Sequence, residues 1–361
     1  MATNIGCFTT EQFNAVEEAF KANISSAKEF EGASFAVYHK GELVVNLWGG
    51  YADSATGRLW EEDTLCIVFS STKAVTALCV AVLVDRGLLS YDDLVMKYWP
   101  EFCKDGRDKV TVRMMMDHKC GLAAIDEPIT LDVMADHKKM SSILENQKPN
   151  WEPGTNSGYH AFTYGWVVDQ VVRRVDSKHR SLGTFLREEI AEPNGVEFYI
   201  GLPQELESRV ATTRNGSVMT RTKEVLFNPR AMRLALAMAL PLPGSAMMKK
   251  IRTNPQFPEK EGNMLASPEY WRVEMGAGNG IGTAKGLAKL FSLLLHPGKD
   301  GKKLLSDGTL QMISKPYLLQ QSDMILGLAL GRVDRGFGFL YDVHPCEVGK
   351  AVDSDDKVSM V

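Results

Sequence analysis

Between residues 10 and 30 the apolar side chains Phe13, Val16, Phe20 and Ile24 recur at three- and four-residue steps behind a Thr-Thr-Glu start. That spacing predicts an amphipathic helix laid against a flat partner. The next stretch, "ASFAVYHKGELVVNLWGGYAD", holds two apolar, β-rich runs on either side of His39-Lys40-Gly41-Glu42, which predicts a hairpin. Residues 72–86 are apolar on nearly every side and stop at Gly87, so this helix is expected inside the protein. From about 92 to 240 the pattern is mainly helical, interrupted by Pro and Gly loops such as "NWEPGTNSGY" and "EPNGVEFYIGLP". Residues 241–270, with Pro241, Pro243, Pro255 and Pro258, read as an irregular, mobile insertion and a candidate lid. A helix is expected in "NGIGTAKGLAKLFSLLL" and a strand-turn-strand in "DMILGLALGRVDRGFGFLYDV". Strands thus fall at both ends with helices between. The expected architecture is α/β of the α+β kind: an antiparallel sheet assembled from the two termini, with a helical subdomain inserted. As boundaries, 1–361 form one domain, 1–65 and 275–361 its α/β subdomain, and 66–274 its helical subdomain.

Composition narrows the function classes. With 44% hydrophobic and 24% charged residues in 361, the chain can bury a sizeable core. Its formal charge of −4 comes from well-mixed signs, with no basic block to track nucleic acid or an anionic membrane. The start "MATNIGCFTTEQ" lacks the basic and apolar regions of a signal peptide, and the apolar runs at 74–84 and 234–242 are too short to span a bilayer. A soluble, cytoplasmic protein is the expectation. The six cysteines show no C-x-x-C pairing and read as reduced thiols. No His, Cys, Asp or Glu set has metal-ligand spacing, and "GNGIGTAKG" lacks the strand before it and the acid after it that a dinucleotide site requires, so no metal and no cofactor is expected. The sequence leaves a homo-oligomer open.

The candidate chemistry lies in "VFSSTKAVTAL". Ser70 and Lys73 are three residues apart, so on a helix they share a face, and a desolvated lysine amine can help take a serine proton. The helix N-terminus adds N–H groups that favour developing negative charge. Three Ser-x-x-Lys matches occur in the chain, and those at Ser25 and Ser354 do not start a buried helix. On pattern alone Ser70 reads equally as a helix cap or as a nucleophile.

The stretches "GGYADSATGRLWEEDTLCIVFSSTKAVTAL", "VTVRMMMDHKCGL", "WEPGTNSGYHAFTYGWVVDQVV" and "GTAKGLAKLFSLL" carry a wider likeness. In order and spacing the chain, from about 35 to 339, resembles the serine β-lactamase-like family, particularly class C β-lactamases, the carboxylesterases related to them, and animal β-lactamase-related domain proteins. The resemblance implies a serine β-lactamase/transpeptidase-like fold, with Ser70 as nucleophile, Lys73 as its partner, and Tyr159 of Tyr159-His160-Ala161 as general base with its phenol pKa lowered by Lys73. Ala161 stands where lactamases usually carry Asn, which favours an esterase-like site. His118 in "DHKCGL" resembles an element that braces such sites. A third element, Lys-Thr-Gly or His-x-Gly or Trp-x-Gly, is expected near the C-terminus, but His344-Pro345-Cys346 lacks the Gly. The resemblance therefore implies a shortened chain whose C-terminal strands and helix are missing.

Other residues have plainer readings. Glu152 in "WEPG" reads as loop, His160 as lining the pocket or packing, and the Met114-Met115-Met116 and Met247-Met248 runs as core or as an acyl pocket. The expected function is a serine hydrolase acting on a small ester or amide through a Ser70 acyl-enzyme, with Lys73 and Tyr159 as activating groups. The alternatives are a weak or inactive shortened homologue with a binding or structural role, and a peptidase or transpeptidase on D-amino-acid peptides.

Overall fold

The computed structural model describes residues 4–26, 31–214, 222, 225–229, 232–233, 235–236, 245–257, 267–327, 331–343 and 358–360. At the N-terminus β1 (Ile5–Thr9) leads into α1 (Asn14–Ser25), then β2 (Gly32–His39) and β3 (Glu42–Asp53) form the hairpin. Lys40 and Gly41 take φ of +52° and +84°, the two left-handed positions that a tight hairpin turn needs. The sheet runs β1-β3-β2, antiparallel throughout, with β4 (Arg58–Leu59) also paired to β3. Strand β1 is too short and Gly-broken to show an alternating pattern. Helix α1 and the residue that precedes it lay Phe13, Val16 and Phe20 on Val44, Val45 and Leu47 of β3, so the predicted amphipathic face meets its flat partner.

After β5 (Cys66–Ile67) comes α2 (Thr72–Asp85), in which every residue from Val75 to Leu83 is buried. Burying each Val or Leu side chain contributes about 1.5–3 kcal/mol over leaving it in water, so the helix holds the centre of the core through all of its faces. Gly87, at φ +69°, follows its C-terminus. Around it lie α3 (Val112–Met116), α4 (Leu131–Ala135), α5 (His137–Asn146), α6 (Thr163–Val175) and α7 (Leu182–Leu186), and α2 packs directly on α6 and α7. Side-chain oxygens of Thr111, Thr130, Asp136 and Ser181 accept N–H groups at the starts of α3, α4, α5 and α7, which explains where these short helices begin. Strands β6 (Phe198–Tyr199) and β7 (Ile281–Gly282) complete a small sheet ordered β5-β7-β6.

Two expectations change. Within 241–270, residues 241–244 and 258–266 lie outside the described residues, and the remainder includes two helices, Ser245–Thr253 and Pro268–Arg272. Met247, Met248 and Ile251 pack with Trp151 and Ile325, and Asn254 Oδ1 accepts from Ile129 N at 2.8 Å, so this part is fastened rather than irregular. Among the described residues the strands from the two termini also pair in separate sheets. Strands β8 (Leu318–Ser322), β9 (Arg332–Gly336), β10 (Phe339–Val343) and β11 (Val358–Met360) form their own antiparallel sheet in the order β11-β10-β9-β8. The reason is local pairing: Phe337 and Gly338, at φ +57° and +89°, fold β9 onto β10, and β11 takes β10's other edge. Residues 323–327, expected in a strand, instead make a turn in which the Asp323 carboxylate accepts from Ile325 N and Leu326 N, both at 2.8 Å. His344-Pro345-Cys346 lies outside the described residues. Among the described residues no helix is long and apolar enough to cross a membrane.

Helix α6 approaches the 275–277 backbone at Gly165, where a Cβ would stand 2.5 Å from Ala277 N and 2.7 Å from Gly276 N. Backbone cannot swing aside as a side-chain tip can. Gly165→Ala is therefore expected to cost about 1–3 kcal/mol through overpacking, lowering the thermal midpoint by several degrees. An unchanged melting curve would show that the two segments separate freely.

Candidate active site

The chain enters the site through a strained turn. Phe69, at φ +47°, starts a 3-10 turn Phe69–Ser71 immediately before α2, a conformation uncommon for a bulky side chain. Ser70 thus stands ahead of α2 rather than in its first α-helical turn. The Thr72 hydroxyl fixes this bend: it donates to Phe69 O at 2.5 Å and accepts from Gly280 N at 2.8 Å, while Val68 N donates to Gly280 O at 2.9 Å. Ser70 Oγ makes no capping bond. Its side-chain hydrogen bond among the described residues is with the hydroxyl of Tyr159, whose Oη donates to it at 2.7 Å.

Lys73 is buried at 6% exposure and points into the core side of the same turn. Its Nζ donates to Ala277 O at 2.7 Å and to Ala161 O at 2.9 Å, and lies 4.6 Å from the centre of the Tyr159 ring. A Ser70–Lys73 hydrogen bond, expected from the shared face, is not among them. Burial pushes the Lys73 ammonium down to about 7 despite these acceptors. Asn279 places the Ala277 carbonyl by donating to Tyr270 O at 2.8 Å and accepting from Met275 N at 3.1 Å, which locks the 270–279 loop.

Burial also acts on Tyr159, raising its phenol above the usual value, and the Ser70 hydrogen bond and the Arg335 charge offset this only in part. The expected lowering by Lys73 therefore does not occur. Lys73 faces the ring rather than the oxygen, and near neutrality it is itself only partly charged.

The Tyr159 segment is knitted into the body by its backbone. Gly158 N donates to His118 O at 3.1 Å, Tyr159 N to Asp323 Oδ1 at 3.2 Å and His160 N to His118 Nδ1 at 3.2 Å. His118, at φ +61°, lies with its ring 5.1 Å from the Tyr159 ring and tilted 57° to it, and burial holds its pKa well below the ordinary histidine value. It is a neutral brace. His160 turns inward, with Nδ1 against Gly158 O at 2.6 Å and Nε2 accepting from Leu122 N at 3.0 Å, so it packs rather than lines the opening. Glu152 is an exposed partner of Lys109. Ala161 lends its carbonyl to Lys73, while its side chain packs against the apolar cluster that includes Trp151, Ile251 and Ile325.

Sequence reasoning missed Thr72, Asn279, Asp323 and Arg335. Thr72 lies inside the motif, and its role was readable from the need to satisfy a bent backbone. The other three act from more than 160 residues away in the chain, and nothing local marks them.

The family model described as Beta-lactamase matches residues 13–349. The esterase/beta-lactamase LipL of Mycobacterium tuberculosis is 30% identical over 341 residues, covering 91% of this chain and 76% of that one. Among solved structures, a family VIII carboxylesterase superposes with TM-score 0.78 at 31% identity, covering 94% of this chain and 84% of the other. A penicillin-binding protein homologue from Caulobacter crescentus gives TM-score 0.73 at 32% identity, with 94% and 83% covered. The family match over 13–349 and a fold shared over nearly the full length place the chain in one group: it belongs to the beta-lactamase family, with the serine beta-lactamase/transpeptidase-like fold.

Proposed function

We propose that this protein is a serine hydrolase of small esters, or of amides, working through a Ser70 acyl-enzyme. The observation that carries the reading is the 2.7 Å contact between Tyr159 Oη and an otherwise uncommitted, exposed Ser70 Oγ, directly above a desolvated Lys73. In the first step Ser70 Oγ bonds to the substrate carbonyl carbon and gives its proton to Tyr159 Oη. Tyr159 passes its own proton to the neutral Lys73 amine, which turns from one of its two carbonyl acceptors toward Oη to take it, so the phenol acts as a relay and need not ionise beforehand. Collapse of the tetrahedral intermediate expels the alkoxide, which leaves as the alcohol with a proton returned through Tyr159. Water then repeats the sequence on the acyl-enzyme and restores Ser70.

The likeness to LipL, named an esterase/beta-lactamase, and to a family VIII carboxylesterase supports ester chemistry. Ala161 points the same way, because its methyl group sits in an apolar cluster and offers no amide to grip a peptide-like substrate. No observation favours a purely structural role: a nonfunctional site has no need to keep a lysine buried under a hydroxyl pair.

Ser70→Ala is expected to abolish p-nitrophenyl ester hydrolysis and fluorophosphonate labelling while leaving the thermal midpoint nearly unchanged, since Ser70 is exposed. Lys73→Ala and Tyr159→Phe should each cost nearly as much activity as Ser70→Ala, because such units act together. Wild-type turnover by Ser70→Ala on every ester tested would put the nucleophile elsewhere.

The pH profile has a definite sign. The relay needs the neutral Lys73 amine, whose folded-state pKa is lowered to about 7, so the reactive fraction grows as pH rises and is nearly complete above that value. Log kcat/KM should climb with unit slope below about pH 7 and then level off. A profile flat from pH 5 to 8 would remove Lys73 as the base.

A further inference from the structure

Tyr159 belongs to a stretch with no helix or strand of its own, so its aim at Ser70 depends on what its backbone is tied to. Of the three N–H groups from Gly158 to His160, two are held by His118 and the third, that of Tyr159 itself, by the Asp323 carboxylate. Asp323 is buried, and Oδ1 also accepts from Ile325 N and Leu326 N, which leaves Oδ2 for Arg335 Nη2 at 2.7 Å. Arg335 is buried in β9, and its Nη1 donates to Ser157 Oγ at 3.1 Å. The side chains of the pair are 2% and 0% exposed. Met324 N closes the loop by donating to Ser157 O at 2.9 Å. The two ends of the tyrosine segment, Ser157 and Tyr159, are thus both anchored to one ion pair from the C-terminal sheet.

We infer that Asp323 and Arg335 are positioning residues for Tyr159, setting the direction of its hydroxyl toward Ser70. This rests on the serine-hydrolase reading. A buried pair is a poor choice for stability alone, since desolvating two charges offsets much of their attraction and apolar replacements often do as well. Its value here is directional: a charged acceptor with four donors has one arrangement that satisfies them all, and Tyr159 N is one of the four. The pair also holds opposite charges near the phenol, Arg335 lowering and Asp323 raising its proton affinity.

The test uses the rate of fluorophosphonate labelling of Ser70, corrected for the folded fraction in each sample, together with kcat and KM on a p-nitrophenyl ester. Asp323→Asn and Arg335→Lys should each slow labelling and lower kcat about tenfold or more, with KM changed far less, because substrate contacts remain while the tyrosine is misaimed. The double variant Asp323→Asn/Arg335→Gln removes both charges together and should recover much of the folding stability lost in the single variants, yet stay slow. Adding Tyr159→Phe to Asp323→Asn should cost little more than Tyr159→Phe alone, whereas a merely structural pair would give additive losses. Ser157→Ala, a mild change outside the charges, should slow labelling about threefold. Labelling of the double variant at the wild-type rate, or full additivity with Tyr159→Phe, overturns the inference. If instead wild-type Ser70 is not labelled, or label persists in Ser70→Ala, the hydrolase reading fails and this inference goes with it; normal pair variants beside an inactive Ser70→Ala overturn the positioning role alone.

Discussion

Keeping the Lys73 amine out of water is the constraint from which most of this architecture follows. A lysine pulled into a low-dielectric core loses the solvation of its charged form, and the loss appears as a pKa near 7 instead of the ordinary 10.5. Only a helix surrounded on every side can bury its first turn this deeply. That accounts for the absence of a polar face on α2 and for its position between α6, α7 and the C-terminal sheet. An amine with no acceptors would leave its donors unsatisfied, and one paired with a carboxylate would stay charged. Two neutral carbonyls, Ala161 and Ala277, satisfy the donors without adding a full negative charge. Those carbonyls come from segments more than 100 residues apart in the chain, so their placement recruits the 270–279 loop, the Asn279 bonds and the close passage at Gly165.

How much of this was legible in the sequence depends on the range over which each residue acts. The hairpin at Lys40-Gly41, the amphipathic face of α1 and the all-round burial of α2 are written in neighbouring residues, so periodicity and turn chemistry reveal them. Ser70 and Lys73 were singled out by a short motif and its spacing and Tyr159 by the family resemblance, and the structure brings Tyr159 Oη to Ser70 Oγ with Lys73 Nζ over the tyrosine ring. The separation of the terminal strands into two sheets was not legible. A strand's pattern states which face is buried but not which partner it takes, and the tight Phe337-Gly338 turn decides the partner of β9. Asp323 and Arg335 were hidden for a related reason: a buried ion pair looks in sequence like two ordinary surface charges.

The directions in which burial shifts the two titrating groups favour the proposed relay over a preformed phenolate. Lowering the phenol by a lysine charge would require that charge to persist next to the oxygen, but desolvation works against it and geometry puts the amine over the ring face. The same desolvation that discharges Lys73 raises Tyr159, so near neutrality the favoured state is a neutral phenol above a partly neutral amine. A relay uses that state directly. A preformed phenolate would have to be generated against both shifts.

The bend at Phe69 belongs to the same economy. A non-glycine residue at φ +47° carries strain of about 1–3 kcal/mol, held here by the Thr72 hydroxyl and the Gly280 backbone. Continuing α2 backwards through Ser70 in ordinary helical geometry would relieve that strain. It would also turn the serine into one more residue of the helix, with a hydroxyl free to bond its own preceding turn and no fixed relation to Tyr159. The strain and the buried amine are both destabilising in isolation, and both are supported by the densely packed α2 that joins them. Stability supplied by the core is thereby converted into a serine that projects from the fold with one partner at 2.7 Å.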